Sequence, residues 1–202
     1  MTLLAQHAEA KILRIQLREN LALKTLSPAQ WRELEPLLEV VEYAKNETLE
    51  HQGDHSMEQY FIIEGILKRA VSNAQGKEMI LRFAAESDID TSYAAWRLKT
   101  PIPYSIRTVT RVRAAKLSMQ QWVGFLKRHP VIKSEFDFEI MKLMSEVLAH
   151  TITLHLLDAS GRLQRFLRKH ADLVERLPKK ELASYLNLSP ETLSRLKRRE
   201  KV

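Results

Sequence analysis

The sequence contains no cysteine. Disulfides, thiolate metal sites, cysteine-held iron–sulfur clusters and cysteine nucleophiles are thereby excluded. It also lacks any run of 18 apolar residues, so no membrane-spanning helix is expected. Met1 to Asn20 alternates apolar with charged residues and has neither the apolar centre nor the cleavage site of a signal peptide. The expected compartment is the cytoplasm, and no membrane partner is expected.

Catalytic signatures are missing as well. Gly76-Lys77 has no phosphate-loop pattern around it. Ser105, His129 and Asp137 have no setting resembling a nucleophile elbow. His51, Asp54 and His55 surround a glycine turn without the His-x-His spacing of a metal-binding jelly roll. No metal, no cofactor and no enzymatic activity are expected.

What is present is ordinary in bulk and uneven in distribution. The 202 residues are 45% hydrophobic and 28% charged, enough for one medium domain plus a small one. The formal net charge is +7. From Gly161 to Val202 there are 12 Lys/Arg against 5 Asp/Glu, so residues 1–160 hold 20 of each sign and the whole excess lies in the last 42 positions. Such asymmetry points to a polyanionic partner at one end, or to a solvated basic face.

The fold class expected is α+β: N-terminal helices and an antiparallel β-roll, a long dimerisation helix, and a C-terminal helix-turn-helix. The expected divisions are 1–130, 131–158 and 159–202. Leu4, Ile12, Ile15 and Leu17 recur at helical spacing, and Ser27-Pro28 opens a second helix with a stripe of Trp31, Leu34, Leu37 and Leu38, bent or shortened at Pro36. From about Val40 to Leu117, short apolar runs at Tyr60–Ile63, Met79–Phe83 and Ile106–Leu117 are separated by turn residues, as in an antiparallel sandwich or barrel. Asp88 to Pro103 reads as a short helix inserted between strands. In it, Trp96, Arg97 and Lys99 either line an effector pocket or pack the inserted helix, and packing is favoured.

Val131 to Leu157 contains no Gly or Pro. Phe136, Ile140, Leu143, Val147, His150, Leu154 and Leu157 are spaced 4, 3, 4, 3, 4, 3, an a/d seam that predicts pairing with a second copy. The alternative is packing on its own domain. His150 in such a seam reads as a hydrogen-bonded register residue rather than a pH sensor.

Lys179 to Arg199 carries the function. Leu182, Leu186, Leu188, Leu193 and Leu196 suit a shared core of two short helices. Ala183 is small enough for a steep crossing, and Asn187, four residues on, tolerates the positive φ of the turn. Ser189 is a cap and Pro190 suits the first turn. Such a second helix places its N-terminal residues at base edges in the major groove. The expected DNA-binding residues are Lys179, Lys180, Ser189, Glu191, Thr192, Ser194, Arg195, Lys197 and Arg198. Arg can pair with guanine and Glu can accept from cytosine, while the remaining cations meet phosphates.

With these residues in view, the chain resembles the Crp/Fnr superfamily of bacterial transcription regulators from about Tyr43 to Arg199. YFIIEGILKRAV followed by GKEMILRF resembles the β-roll strands, and SPETLSR resembles the recognition helix. Glu191, Ser194 and Arg195 are similar to the E-x-x-S-R pattern of the Fnr branch, which implies a TTGA-like half-site. The resemblance implies a homodimer on double-stranded DNA, with RNA polymerase a further partner of an activator, and a small-molecule effector between roll and helix. Asp90, Thr91, Ser92 and Ile102 fall where the family's effector pocket is expected. Asp90-Thr91 replaces the Gly-Glu pair of cyclic-nucleotide-binding members, and Ile102-Pro103 replaces their Arg-Ser/Thr pair. A phosphate there would lack its charge-assisted partner, so cyclic AMP is expected to bind weakly or not at all. Members usually continue into a β-hairpin wing, whereas only Glu200-Lys201-Val202 follow here: either the wing is absent, with fewer phosphate contacts and lower affinity expected, or the sequence is truncated. The alternatives are a ligand-binding roll whose terminal domain contacts protein, and a cupin-like enzyme.

Overall fold

The computed structural model describes residues 2–76 and 78–199. The Glu200-Lys201-Val202 ending lies outside them. The N-terminal helices are α1 (Ala10–Arg18) and α2 (Pro28–Leu34). A short strand, β1 (Thr2–Leu3), precedes them and joins the sheet edge. The helical spacing expected through Leu4, Ile12, Ile15 and Leu17 is corrected in its facing: Leu13 and Leu17 are buried, whereas Ile12 and Ile15 are exposed. α2 starts as expected. Ser27 and Gln30 cap each other reciprocally, and Pro36 converts the end of the helix into a 3-10 turn over Glu35–Leu37.

Two antiparallel sheets follow. β2 (Glu39–Tyr43), β9 (Val112–Ser118), β4 (Glu58–Glu64) and β7 (Ile89–Thr91) lie side by side with β1 outermost; β3 (Thr48–Glu50), β8 (Ser105–Thr108), β5 (Leu67–Ser72) and β6 (Glu78–Ala84) form the second sheet. The apolar run Ile106–Leu117 is therefore two strands, one in each sheet. α3 (Tyr93–Leu98) is the insertion expected between strands. The mixed helix and antiparallel sheet architecture is as the sequence predicts.

The roll and the helices behind it share one core. Trp122 sits at its centre, edge-on to Phe61 at 5.3 Å and to Phe136 at 5.2 Å, and Phe136 meets Tyr93 at 5.2 Å. Trp122 belongs to α4 (Met119–Arg128), a helix not anticipated from the sequence. Ser118 and Gln121 form its capping box.

α5 (Pro130–Leu156) is the long helix expected, but its expected seam is corrected. Phe136, Ile140, Leu143 and His150 are buried within the chain's own interior, and Phe136 and Ile140 belong to the roll core. Val147 and Leu154 are half-buried and Leu157 lies past the helix end. The periodicity is real, but the roll covers its first part and the terminal unit covers His150. The apolar side chains of α5 left exposed are Val131 at its start and then Phe138, Met141, Met144, Leu148, Ile152 and Leu156.

Gly65 makes the turn from β4 to β5 at φ +94°, and a Cβ there would lie 2.1 Å from the Arg111 carbonyl oxygen. Gly65→Ala therefore combines left-handed strain with a backbone collision. It is expected to lower unfolding free energy by about 2–4 kcal/mol. The urea midpoint measures this, and a midpoint equal to wild type would contradict it.

Candidate nucleic-acid interface

The terminal unit is α6 (Ala159–Lys169), α7 (Lys179–Tyr185) and α8 (Pro190–Arg199). Asp158 caps α6 by accepting from the Gly161 amide at 2.8 Å. α7 and α8 cross over Leu182, Ala183, Leu186 and Leu193, all buried, with Leu188 and Leu196 packed at the margin. Asn187 adopts φ +52° in the turn. The next amide, of Leu188, donates to the Ala183 carbonyl at 2.9 Å and closes the end of α7. Ser189 accepts from the Thr192 amide at 3.1 Å, and Pro190 occupies the first turn of α8.

This scaffold decides which side chains face outward. Glu191, Arg195 and Arg198 are exposed, as are Lys179, Lys180 and Ser189; Thr192, Ser194 and Lys197 are half-buried. Ser194 turns its hydroxyl inward to the Pro190 carbonyl at 3.0 Å. The Glu191 carboxyl is held below its ordinary range by its own backbone amide and by the Ser189 hydroxyl. Glu191 and Arg195 are one helical turn apart, so both look out from one face.

Arg162 is a residue the sequence reading missed. From α6 it donates to the Leu157 carbonyl at 2.9 Å and to the Leu186 carbonyl at 3.0 Å, satisfying acceptors at the end of α7. No local pattern signals this, because the partner lies 24 residues away.

The terminal unit is docked on the roll. Ile66, Ala70, Ile80, Phe83 and Val109 share a core with its leucines. Tyr185 is the joint: it stacks on His150 of α5 at 3.8 Å and 5° and touches Phe83 of β6 at 5.2 Å. Lys68 bridges Glu78 at 2.6 Å and Glu181 of α7 at 2.8 Å, and Arg176 holds Glu86 at 2.6 Å.

Asp90, Thr91, Ser92 and Ile102 are all buried in the roll. An arginine does reach them, from β5 rather than from the position expected. Arg69 donates to Asp90 at 2.7 Å and to the Thr91 carbonyl at 2.8 Å, and lies 4.6 Å over the Tyr104 ring. Ser92 donates to Glu50 at 2.5 Å, and burial pushes the Glu50 carboxyl up to about 7. Arg69 was missed because Lys68-Arg69 reads as polar strand surface, whereas Leu67 to Ala70 is buried on both sides. His51, Asp54 and His55 lie on an exposed loop.

The architecture is that of regulators which join a β-roll to a helix-turn-helix through one long helix. Residues 40–129 match the cyclic nucleotide-binding domain family. The chain is similar to the cAMP-activated global transcriptional regulator CRP of Salmonella typhimurium, at 21% identity over 76% of this chain and 78% of the relative. It is similar to the nitrogen fixation regulation protein FixK of Bradyrhizobium diazoefficiens, at 22% identity over 89% of this chain and 78% of the relative. Among solved structures, the c-di-GMP responsive global regulator CLP of Xanthomonas campestris superposes with a TM-score of 0.71 at 16% identity, covering 87% of this chain and 92% of that one. FixK2 of Bradyrhizobium japonicum gives 0.69 at 13% identity, covering 80% and 83%. Over residues 40–129 the chain carries the cyclic nucleotide-binding domain, and along most of its length it is similar to regulators of the Crp/Fnr type. The named relatives are regulators rather than enzymes.

His150 gives this joint a pH signature. Burial lowers its pKa to about 4, with His170, Lys169 and Glu146 nearby. The unfolded chain binds a proton below about 6.5 that the folded chain refuses until about 4. Stability should therefore be full above pH 6.5 and fall as pH drops toward 4. His150→Phe keeps a ring on Tyr185 and removes the titration. Between pH 7 and 4, wild type should lose about 1–3 kcal/mol more than the variant in paired urea titrations; parallel curves would contradict the assignment.

Proposed function

We propose that the chain binds a palindromic DNA site as a homodimer, reading bases with α8. The observation that carries this reading is the outward placement of Glu191 and Arg195 on a helix whose Leu193 is fully buried. Arg195 is positioned for guanine and Glu191 for cytosine, with Ser194 between them. Lys179, Lys180, Lys197 and Arg198 approach phosphates, and Ser189 and Thr192 sit at the helix start, where the dipole favours an anion. The functional units are residues 1–130, 131–158 and 159–202.

The second copy pairs along the outer face of α5, not the inner one. Phe138, Met141, Leu148 and Ile152, with Ser145 between, repeat at 3, 4, 3 and 4 residues, and Leu148 is 61% exposed. A parallel pair on this face sets two copies of α8 for half-sites about one DNA turn apart. The roll is not gated by cyclic AMP, because Arg69 is already engaged by Asp90 and Thr91. Any effector has another chemistry.

Two measurements test the reading. Anisotropy titrations against a palindrome of TTGA half-sites should give salt-dependent binding, and Arg195→Ala should lose about 1–3 kcal/mol of discrimination between that site and a scrambled one. Unchanged discrimination would refute the assignment of α8. Leu148→Glu with Ile152→Glu should sediment as a folded monomer; a dimer that persists would refute the pairing face.

A further inference from the structure

Outside the roll, α3, α4 and the start of α5 enclose an open cleft of about 540 Å³. Its walls are Tyr93 and Trp96, with Val123 and Leu126 as a buried apolar floor. Four cations rim it: Arg97, Lys99, Lys127 and Lys133. Two are partly committed. Lys133 pairs with Asp137 on the next turn of α5, and Arg97 donates to the Tyr93 hydroxyl at 3.0 Å, which in turn donates to Asp137 at 3.0 Å. Lys99 and Lys127 are exposed and make no ion pair among the described residues. Asp137 thus answers Lys133 directly and Arg97 through Tyr93, and the residues lining the cleft carry a clear positive excess. Apolar walls with a few converging charges, at this volume, are the usual make-up of a small-molecule site. Trp96 is half-buried, so packing explains one side of its indole and leaves the other side facing the cleft.

We propose that this cleft binds a small planar organic anion, its flat body against Trp96 and Val123 and its acidic group between Lys99 and Lys127. An aromatic face contributes contact area, and an ammonium beside it favours a negatively charged ligand over its neutral analogue. The site is separate from the roll interior, where Arg69 donates to Asp90 and to the Thr91 carbonyl. It lies against Asp137, which directly precedes Phe138 on the proposed pairing face, so an occupant sits beside that face.

The test uses the full chain and isothermal titration calorimetry at low salt, with 2-naphthoate and 2-naphthyl phosphate as probes and 2-naphthalenemethanol as the neutral analogue. One anion per chain should bind saturably and at least about tenfold more tightly than the neutral analogue. The stronger of the two anions identifies the acidic group, carboxylate or phosphate. Lys99→Glu with Lys127→Glu should weaken the preferred anion by about tenfold or more. Lys45→Glu with Arg111→Glu changes the net charge equally, at the Tyr43–Val112 end of the roll sheet and outside the cleft lining, and should leave affinity unchanged. Failure of both anions to saturate overturns the proposal, as does equal affinity for the neutral analogue or equal weakening by the two charge pairs.

Discussion

One helix with two apolar faces organises the molecule. The inner face of α5 puts Phe136 against Trp122 in the roll and His150 against Tyr185 in the terminal unit. The same helix is therefore core to both parts. Its outer face, from Phe138 to Ile152, is left largely exposed by the described residues. A helix apolar all round is stable only when buried all round, so the exposed stripe is the strongest reason to place a second copy there. Everything proposed about DNA depends on this, because two recognition helices need a fixed relation before half-site spacing has meaning.

The terminal unit adds a different constraint. It carries the net positive charge of the sequence, yet the contacts that dock it use that charge sparingly. Lys68, Lys169 and Arg176 make ion pairs across the junction, and leucines and Tyr185 make its apolar part. Arg195 and Arg198 remain outward with Lys179 and Lys180. A docked surface that is apolar and an outward surface that is basic coexist on so small a unit because α7 and α8 meet over buried leucines and leave their charged faces outward. That crossing depends on Ala183 at the contact and Asn187 in the turn.

Much of this was legible in the sequence where the determinants are local. Asn187, Ser189 and Pro190 specify turn, cap and first turn within four residues, and the structure places each in that role. The β-roll was legible from its short runs and turns. α4 was overlooked although Ser118 and Gln121 spell a capping box, because attention to strand alternation carried through to Leu117. The inner stripe of α5 was read as the pairing seam for a physical reason. Periodicity identifies an apolar face but not what covers it, and the outer stripe is interrupted by Ser145, which weakens its signal. Arg69 and Arg162 were illegible because their partners are 21 and 24 residues distant.

The placement of these features along α5 bears on how a signal would travel. Asp137 faces the cleft through Tyr93, and His150 faces the recognition unit through Tyr185. Thirteen residues of helix separate them, about 20 Å at 1.5 Å per residue. A helix stretches little but can roll or tilt as a body, and packed interfaces resist small deformations until they shift between discrete arrangements. The outer apolar stripe runs between the two points. A ligand that alters how α5 sits at its N-terminal end therefore acts on the pairing face and on the Tyr185 joint together, with no need to deform the roll. The internal Arg69–Asp90 pair fits the same logic. Both ions are fully buried and paired through Arg69 Nε and Asp90 Oδ1, which ties β5 to β7 inside the roll. Motion is then left to α5 and to the unit that Tyr185 fastens to it.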